Sequence, residues 1–190
     1  MRSACLALTL LVLALSGTTA RADRQQDPEL RAVIAAALQP TPCFDDRYDR
    51  EVWFAYMEPR LERIVRSDAE REQILHHVHC EARRVRIPPE LVLAVIDVES
   101  RFDRYAVSSA GAVGLMQVMP FWPGELGMHN SQLVQIADNI RMGTTILGYY
   151  LAKERGNFQR ALQRYNGSLG RPKYSDLVLD RLASRWQFSG

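Results

Sequence analysis

The stretch VIDVESRFDRYAVSSAGAVGLMQVMP, Val95 to Pro120, joins two unlike pieces of chain. Its start belongs to a nearly unbroken apolar run, Leu91 to Val98 with Asp97 the one polar position, and the run ends on Glu99. A helix that is apolar almost all round is central to a core, so a buried helix is predicted from Glu90 onward, with Ile87-Pro88-Pro89 as the break before it. After Arg101 the character changes. Serines, glycines and short apolar pieces from Ser108 to Gly127 are too broken for a long helix and predict a turn-rich lobe. Gly111 and Gly114 allow either an ordinary turn or a close main-chain approach to a ligand. They do not form a phosphate loop, because the full glycine pattern and a following Lys-Ser or Lys-Thr are missing.

Working outward, helical signals dominate both flanks. Asp27-Pro28-Glu29 is a cap followed by a proline tolerated in the first turn, opening a helix to about Leu38, which Pro40 and Pro42 then break. A second helix is expected over Arg50 to Arg66. Ser67-Asp68-Ala69-Glu70 is a capping box opening a third to about Arg84, with Ile74, Leu75, Val78 and Ala82 on one face. Downstream, a long helix is predicted from about Asp138 to Glu154. Asn157 caps a short one whose Phe158, Ala161, Leu162 and Tyr165 share a face, Gly167 ends it, and Ser175 begins the last. No internal repeat, heptad run or low-complexity tract is present.

The first twenty-two residues have the form of a secretory signal peptide, with Arg2, an apolar run from Leu6 to Leu15 and the small-residue site Ala20-Arg21-Ala22. That run is too short for a permanent anchor. Cleavage would leave about 168 residues, enough for one domain with a real core. It would also take the basic count from 24 to 22, matching the 22 acids. A neutral chain argues against nucleic acid as a partner, since that binding needs a positive footprint. Arg60, Arg63, Arg66 and Arg71 interleave with Glu58, Glu62, Asp68, Glu70 and Glu72, and are expected to form a solvated helix face. Cys43 and Cys80 are the two cysteines outside the leader. They are either one disulfide, as an oxidising exported compartment favours, or two buried thiols. His76 and Cys80 have metal-ligand spacing, but no second ligand cluster exists and a disulfide is the simpler use of Cys80.

Glu99 is the residue with chemistry in it. The negative end of a helix and an apolar surrounding both favour its protonated form, and a carboxylic acid protonated near neutral pH can give its proton to a leaving-group oxygen. A helix-terminal glutamate exposed to water is the alternative the residues alone leave open.

The stretch ESRFDRYAVSSAGAVGLMQVMP resembles the signature of the soluble lytic transglycosylases, bacterial enzymes with a lysozyme-like fold that cleave peptidoglycan. The Glu-Ser pair, the Ala-x-Ser step, the Gly-Ala-x-Gly-Leu-Met-Gln run and the closing Met-Pro are all in register. DNIRMGTTILGYYL resembles the family's Asn-Ile-x-x-Gly helix and ALQRYNGS its Tyr-Asn block, so the likeness covers about Ile87 to Tyr174. The pattern departs at Gly167-Ser168, where the family more often has Ala-Gly and a proline.

The resemblance implies a mainly α, lysozyme-like α+β fold, with a helical catalytic domain over 87–190 and a small turn-rich lobe; the patterns upstream give a helical extension over 23–86 and a signal peptide over 1–22. It implies Glu99 as catalytic acid, with Ser100, Gln117, Met119, Tyr165 and Asn166 lining the cleft. Tyr165 also falls on the buried stripe of its helix, and a tyrosine can pack its ring inward while presenting its hydroxyl.

By the same resemblance, Glu99 would protonate the oxygen between N-acetylmuramic acid and N-acetylglucosamine, then accept the muramic 6-hydroxyl proton as a 1,6-anhydro ring closes. No second carboxylate, metal or cofactor is implied. Glycan strands of peptidoglycan are the expected partner, in the periplasm or outside the cell, with no stable membrane anchor. A lysozyme-type hydrolase on the same fold and a non-catalytic wall-binding accessory are the competing readings. The segment 23–86 carries no motif and is either a helical brace or a docking surface for an envelope assembly.

Overall fold

The computed structural model describes residues 27–39, Cys43 and residues 47–188, so the expected signal peptide lies outside the described residues. The described residues are mainly helical. Helix α1 (Pro28–Ala37) starts where expected, with Asp27 accepting from the Leu30 amide at 3.1 Å and Pro28 in the first turn. Leu30, Ile34 and Ala37 form its buried stripe. Helix α2 (Arg47–Glu62) runs through Pro59, which sits close enough to its end to forfeit little of the ladder. It stops short of the expected Arg66 because the amides of Ile64 and Val65 both turn back onto the Leu61 carbonyl.

Helix α3 (Asp68–Val85) is capped by the Ser67 hydroxyl, which accepts from the Glu70 amide. Its Ile74, Leu75, Val78 and Ala82 are buried, as their spacing predicts. The expected solvated arginine face is only partly one. Arg71 is 5 % exposed and donates to Glu58 Oε1 (2.8 Å), Asp68 Oδ1 (2.9 Å) and the Val65 carbonyl (3.0 Å). It satisfies the chain reversal between α2 and α3 from inside, which a charge pattern along one helix cannot reveal. Cys43 and Cys80 form a disulfide that ties the N-terminal segment to α3. Closing a loop with a sequence separation of 37 restricts the unfolded chain by about 4 kcal/mol in the entropy model.

Helix α4 (Pro89–Glu99) is the central element: every residue from Leu91 to Asp97 is buried. It packs against α3 and against the C-terminal helix α8 (Lys173–Arg181) with its π-helical continuation Leu182–Trp186. Asp97 survives burial because Trp186 Nε1 (3.0 Å) and Arg185 Nη1 (3.1 Å) donate to its Oδ2. The lobe that follows holds the isolated antiparallel bridges Val107 with Val113 and Val113 with Val118, then the short helix α5 (Phe121–Glu125) and a 3-10 turn, Asn130–Val134.

The long helix α6 (Ile136–Lys153) lies against α1, α3 and α7 (Phe158–Asn166), and Asn157 caps α7 as predicted. Helix α8 begins at Lys173, two residues before the expected Ser175. The Ser175 hydroxyl lies inside the first turn and donates to the Pro172 carbonyl at 2.8 Å.

Candidate active site

Glu99 is the last residue of α4, and the chain leaves it through an abrupt reversal. The Ser100 amide closes the helix on the Ile96 carbonyl, while Arg101 and Phe102 both take positive φ, 52° and 66°. Such backbone is costly for residues with side chains and persists where the surroundings impose it. Phe102 is buried against Trp186, with ring centroids 5.3 Å apart, and anchors the reversal.

The lobe is fastened to the helical body by Asn139 of α6, which is 1 % exposed. Its amide donates to the carbonyls of Val113 (2.9 Å) and Leu133 (2.8 Å), and its Oδ1 accepts from the Met116 amide (2.7 Å). Gly114, at φ +83°, passes so near that a Cβ there would lie 2.4 Å from Asn139 Nδ2 and from the Leu133 carbonyl. The close approach that Gly114 permits is thus made to the protein's own core, while Gly111 has open space beside it.

Between lobe and body lies a cleft of about 220 Å³. Five of the six residues expected to line it do so: Glu99, Gln117, Met119, Tyr165 and Asn166. Gln117 is held at φ 50°, and its Nε2 donates to the Ala106 (3.1 Å) and Gly114 (3.0 Å) carbonyls. Its two amide hydrogens are thereby spent on main chain. Tyr165 packs inward, 8 % exposed, and its hydroxyl donates to the Met116 carbonyl at 2.6 Å. It braces the cleft wall.

Ser100 is not among the lining residues. Its hydroxyl donates to the Leu115 carbonyl at 2.8 Å, pinning the end of α4 to the lobe.

Tyr174, at the start of α8, donates its hydroxyl to Glu99 Oε1 at 2.6 Å. Burial pushes the Tyr174 phenol well above the ordinary tyrosine value, and the neighbouring Glu99 charge adds to this. Tyr174 therefore remains a donor through neutral and alkaline pH. Sequence reading gave it no role. The one signal was that the resemblance ends on it, nine residues beyond Tyr165, and the turn that brings it back to α4 has no local signature. Ser108, also unassigned, lines the cleft while its hydroxyl accepts from the Ala112 amide at 3.0 Å. The opposite wall is apolar and aromatic, with Phe121, Trp122, Ile146 and Tyr150.

Glu99 is the one carboxylate among the described lining residues. One acid held by a tyrosine hydroxyl, beside amide groups and aromatic faces, is equipped to pass one proton to and from a polar, ring-shaped ligand. As for metals, His76 Nε2 is 3.7 Å from Cys80 Sγ, but that sulfur is bound in the disulfide. Among the described residues no group of three or more His, Cys, Asp or Glu side chains is placed to hold an ion.

Residues 78–175 match the family model of the transglycosylase SLT domain. Membrane-bound lytic murein transglycosylase C of Actinobacillus pleuropneumoniae serotype 5b is 52 % identical over 48 residues, 25 % of this chain and 13 % of that protein. The protein of the same name from Yersinia enterocolitica is 32 % identical over 119 residues, 54 % of this chain and 33 % of that one. The chain thus aligns with a third or less of these relatives' length. Among solved structures, the lytic transglycosylase Slt of Pseudomonas aeruginosa, an inactive mutant, matches 71 % of this chain and 25 % of its own at 24 % identity and a TM-score of 0.48. With a family match that spans α4, the lobe, α6, α7 and the start of α8, this chain belongs to the transglycosylase SLT domain family.

Proposed function

We propose that this protein is a peptidoglycan lytic transglycosylase in which Glu99 acts alone as acid and then base. The observation that carries this reading is the single lining carboxylate with Tyr174 on its Oε1 at 2.6 Å. Tyr174 fixes the carboxyl through Oε1, and protonated Glu99 gives its proton to the glycosidic oxygen between N-acetylmuramic acid and N-acetylglucosamine. Proton transfer releases the N-acetylglucosamine side as an alcohol. The Glu99 carboxylate then takes the proton of the muramic 6-hydroxyl as that oxygen bonds to the anomeric carbon. The product is a 1,6-anhydro ring, atoms balance without water, and Glu99 ends protonated for the next cycle.

Hydrolases of glycosidic bonds ordinarily place a second carboxylate across the scissile bond, and the lining residues supply none. That favours the intramolecular hydroxyl over the lysozyme-type alternative. Gln117 and Asn166 suit the amides and hydroxyls of the sugars, and the Trp122 and Tyr150 rings their apolar faces. The relatives' names place them at murein and membrane, and the expected leader agrees with an exported, wall-facing protein. No helix among the described residues is long and apolar enough to cross a membrane. Within this reading, 87–190 is the catalytic domain and 23–86 a brace, with α1 laid on α6 and α3 locked by the disulfide.

Glu99→Gln keeps size and hydrogen bonding but cannot donate a carboxylic proton. It is expected to abolish release of soluble fragments from purified peptidoglycan while binding to the wall persists. Undiminished lysis by a folded Glu99→Gln protein would refute the assignment, and wall binding without any lysis by the wild-type protein would point to an accessory whose groove only holds the strand.

A further inference from the structure

A second concavity, of about 510 Å³, opens between α2 and the C-terminal end of the chain, lined by Pro59, Arg60, Arg63, Arg181, Ser184 and Arg185. Two of the arginines that the charge pattern assigns to a solvated face, Arg60 and Arg63, thus meet two more from the other end of the sequence. Four guanidiniums brought together raise the positive potential in the groove and draw anions to it.

Compensation is small. Asp97, 5 % exposed, lies with its Oδ2 3.1 Å from Arg185 Nη1 and 4.0 Å from Arg181 Nε. Arg60 sits over the Tyr56 ring, its guanidinium carbon 3.8 Å from the centroid, and donates Nη1 to the Tyr56 carbonyl at 2.7 Å. Those contacts fix its position without cancelling its charge. Arg63 has no hydrogen bond or ion pair among the described residues. Among the described residues, four cations against one carboxylate leave an excess of three positive charges around this groove. Glu62 and Asp180, the acids adjacent in sequence, are exposed and form no ion pair with these arginines among the described residues.

We propose that this groove binds a phosphate group. A guanidinium presents donors in a planar fork that matches oxyanions. A planar carboxylate is served by one or two forks in its own plane. Four forks reaching inward from two elements suit a tetrahedral group with three or more oxygens and about two negative charges. Asp97, Trp186 and Tyr56 hold three of the four arginines in place before any ligand arrives, which lowers the ordering cost of binding. The phosphate has two possible sources, a lipid headgroup at a membrane surface or a soluble phosphate. The site is independent of the cleft and of the activity assigned to Glu99.

The test uses the whole protein and reads binding, not lysis. Inorganic phosphate is titrated while backbone amide shifts are followed by NMR, and vesicles of phosphatidylglycerol or of phosphatidylcholine are tested by co-sedimentation. Phosphate is expected to shift amides of 59–63 and 181–185, more weakly as salt rises. Arg60→Gln with Arg63→Gln is expected to lower the affinity at least tenfold, with Arg171→Gln as an unaffected control. Arg63→Gln alone removes no hydrogen bond or ion pair among the described residues, so a loss of binding with the thermal unfolding midpoint unchanged reports the groove itself and not the fold. Selective capture by phosphatidylglycerol vesicles, lost in the double variant, assigns a lipid headgroup, and amide shifts without vesicle capture assign a soluble phosphate. Absence of both signals, or binding unchanged in the double variant, overturns the proposal.

Discussion

At the scale of single residues, the chemistry depends on Glu99 and on the hydroxyl that orients it. Tyr174 donates to Oε1 of Glu99 at 2.6 Å. Tyr174→Phe removes that donor. Activity at the pH optimum is expected to fall by about ten- to a hundredfold, the usual scale for a group that orients an acid. Unchanged turnover by a folded Tyr174→Phe protein would mean that Tyr174 merely packs. Asn139 makes the complementary case for stability. Its three hydrogen bonds to the lobe are buried or part-buried, and at about 1 kcal/mol each Asn139→Ala is expected to cost ~3 kcal/mol in denaturant unfolding.

At the scale of elements, the helices are legible wherever burial is one-sided or complete. The apolar run 91–98 announces α4, and the spacing of Ile74, Leu75, Val78 and Ala82 announces the inner face of α3. What was not legible is what chain reversals bring together. Arg71 turns inward because the α2–α3 reversal exposes carbonyls it can satisfy. Tyr174 reaches Glu99 because α8 folds back on α4, and Ser100 faces Leu115 instead of the cleft because the chain reverses at Arg101 and Phe102.

Helix contacts also carry a prediction. A Cβ at Gly143 would lie 2.5 Å from the Met116 Cβ, and Met116 supplies the carbonyl that Tyr165 holds. Gly143→Ala should therefore destabilise the fold by about 1–3 kcal/mol and also lower lysis, measured on protein kept well below its unfolding temperature.

At the scale of the whole molecule, His77, Asp27 and Tyr174 are among the shifted groups that bound the pH range of stability. Burial, reinforced by the His76 charge, lowers the His77 value from 6.5, so acidification costs stability as His77 is forced to charge. Burial works to raise the Asp27 carboxyl. The Leu30 amide, Lys153 and Tyr149 outweigh it and hold the value below 3.8, so its contribution is lost as pH falls through that lowered value. Tyr174, raised by burial, contributes fully below about pH 10, and that contribution disappears as pH rises further. Thermal unfolding should therefore show a plateau from about pH 6.5 to 10 with losses on both sides. A maximum confined to acid pH would contradict this distribution.

The central claim is that one carboxyl suffices because the sugar's own hydroxyl replaces water. Mass spectrometry of the fragments released from purified peptidoglycan decides it directly. Muropeptides ending in 1,6-anhydro-N-acetylmuramic acid, one water lighter than hydrolytic fragments, are the predicted result, and fragments with only reducing ends would contradict it.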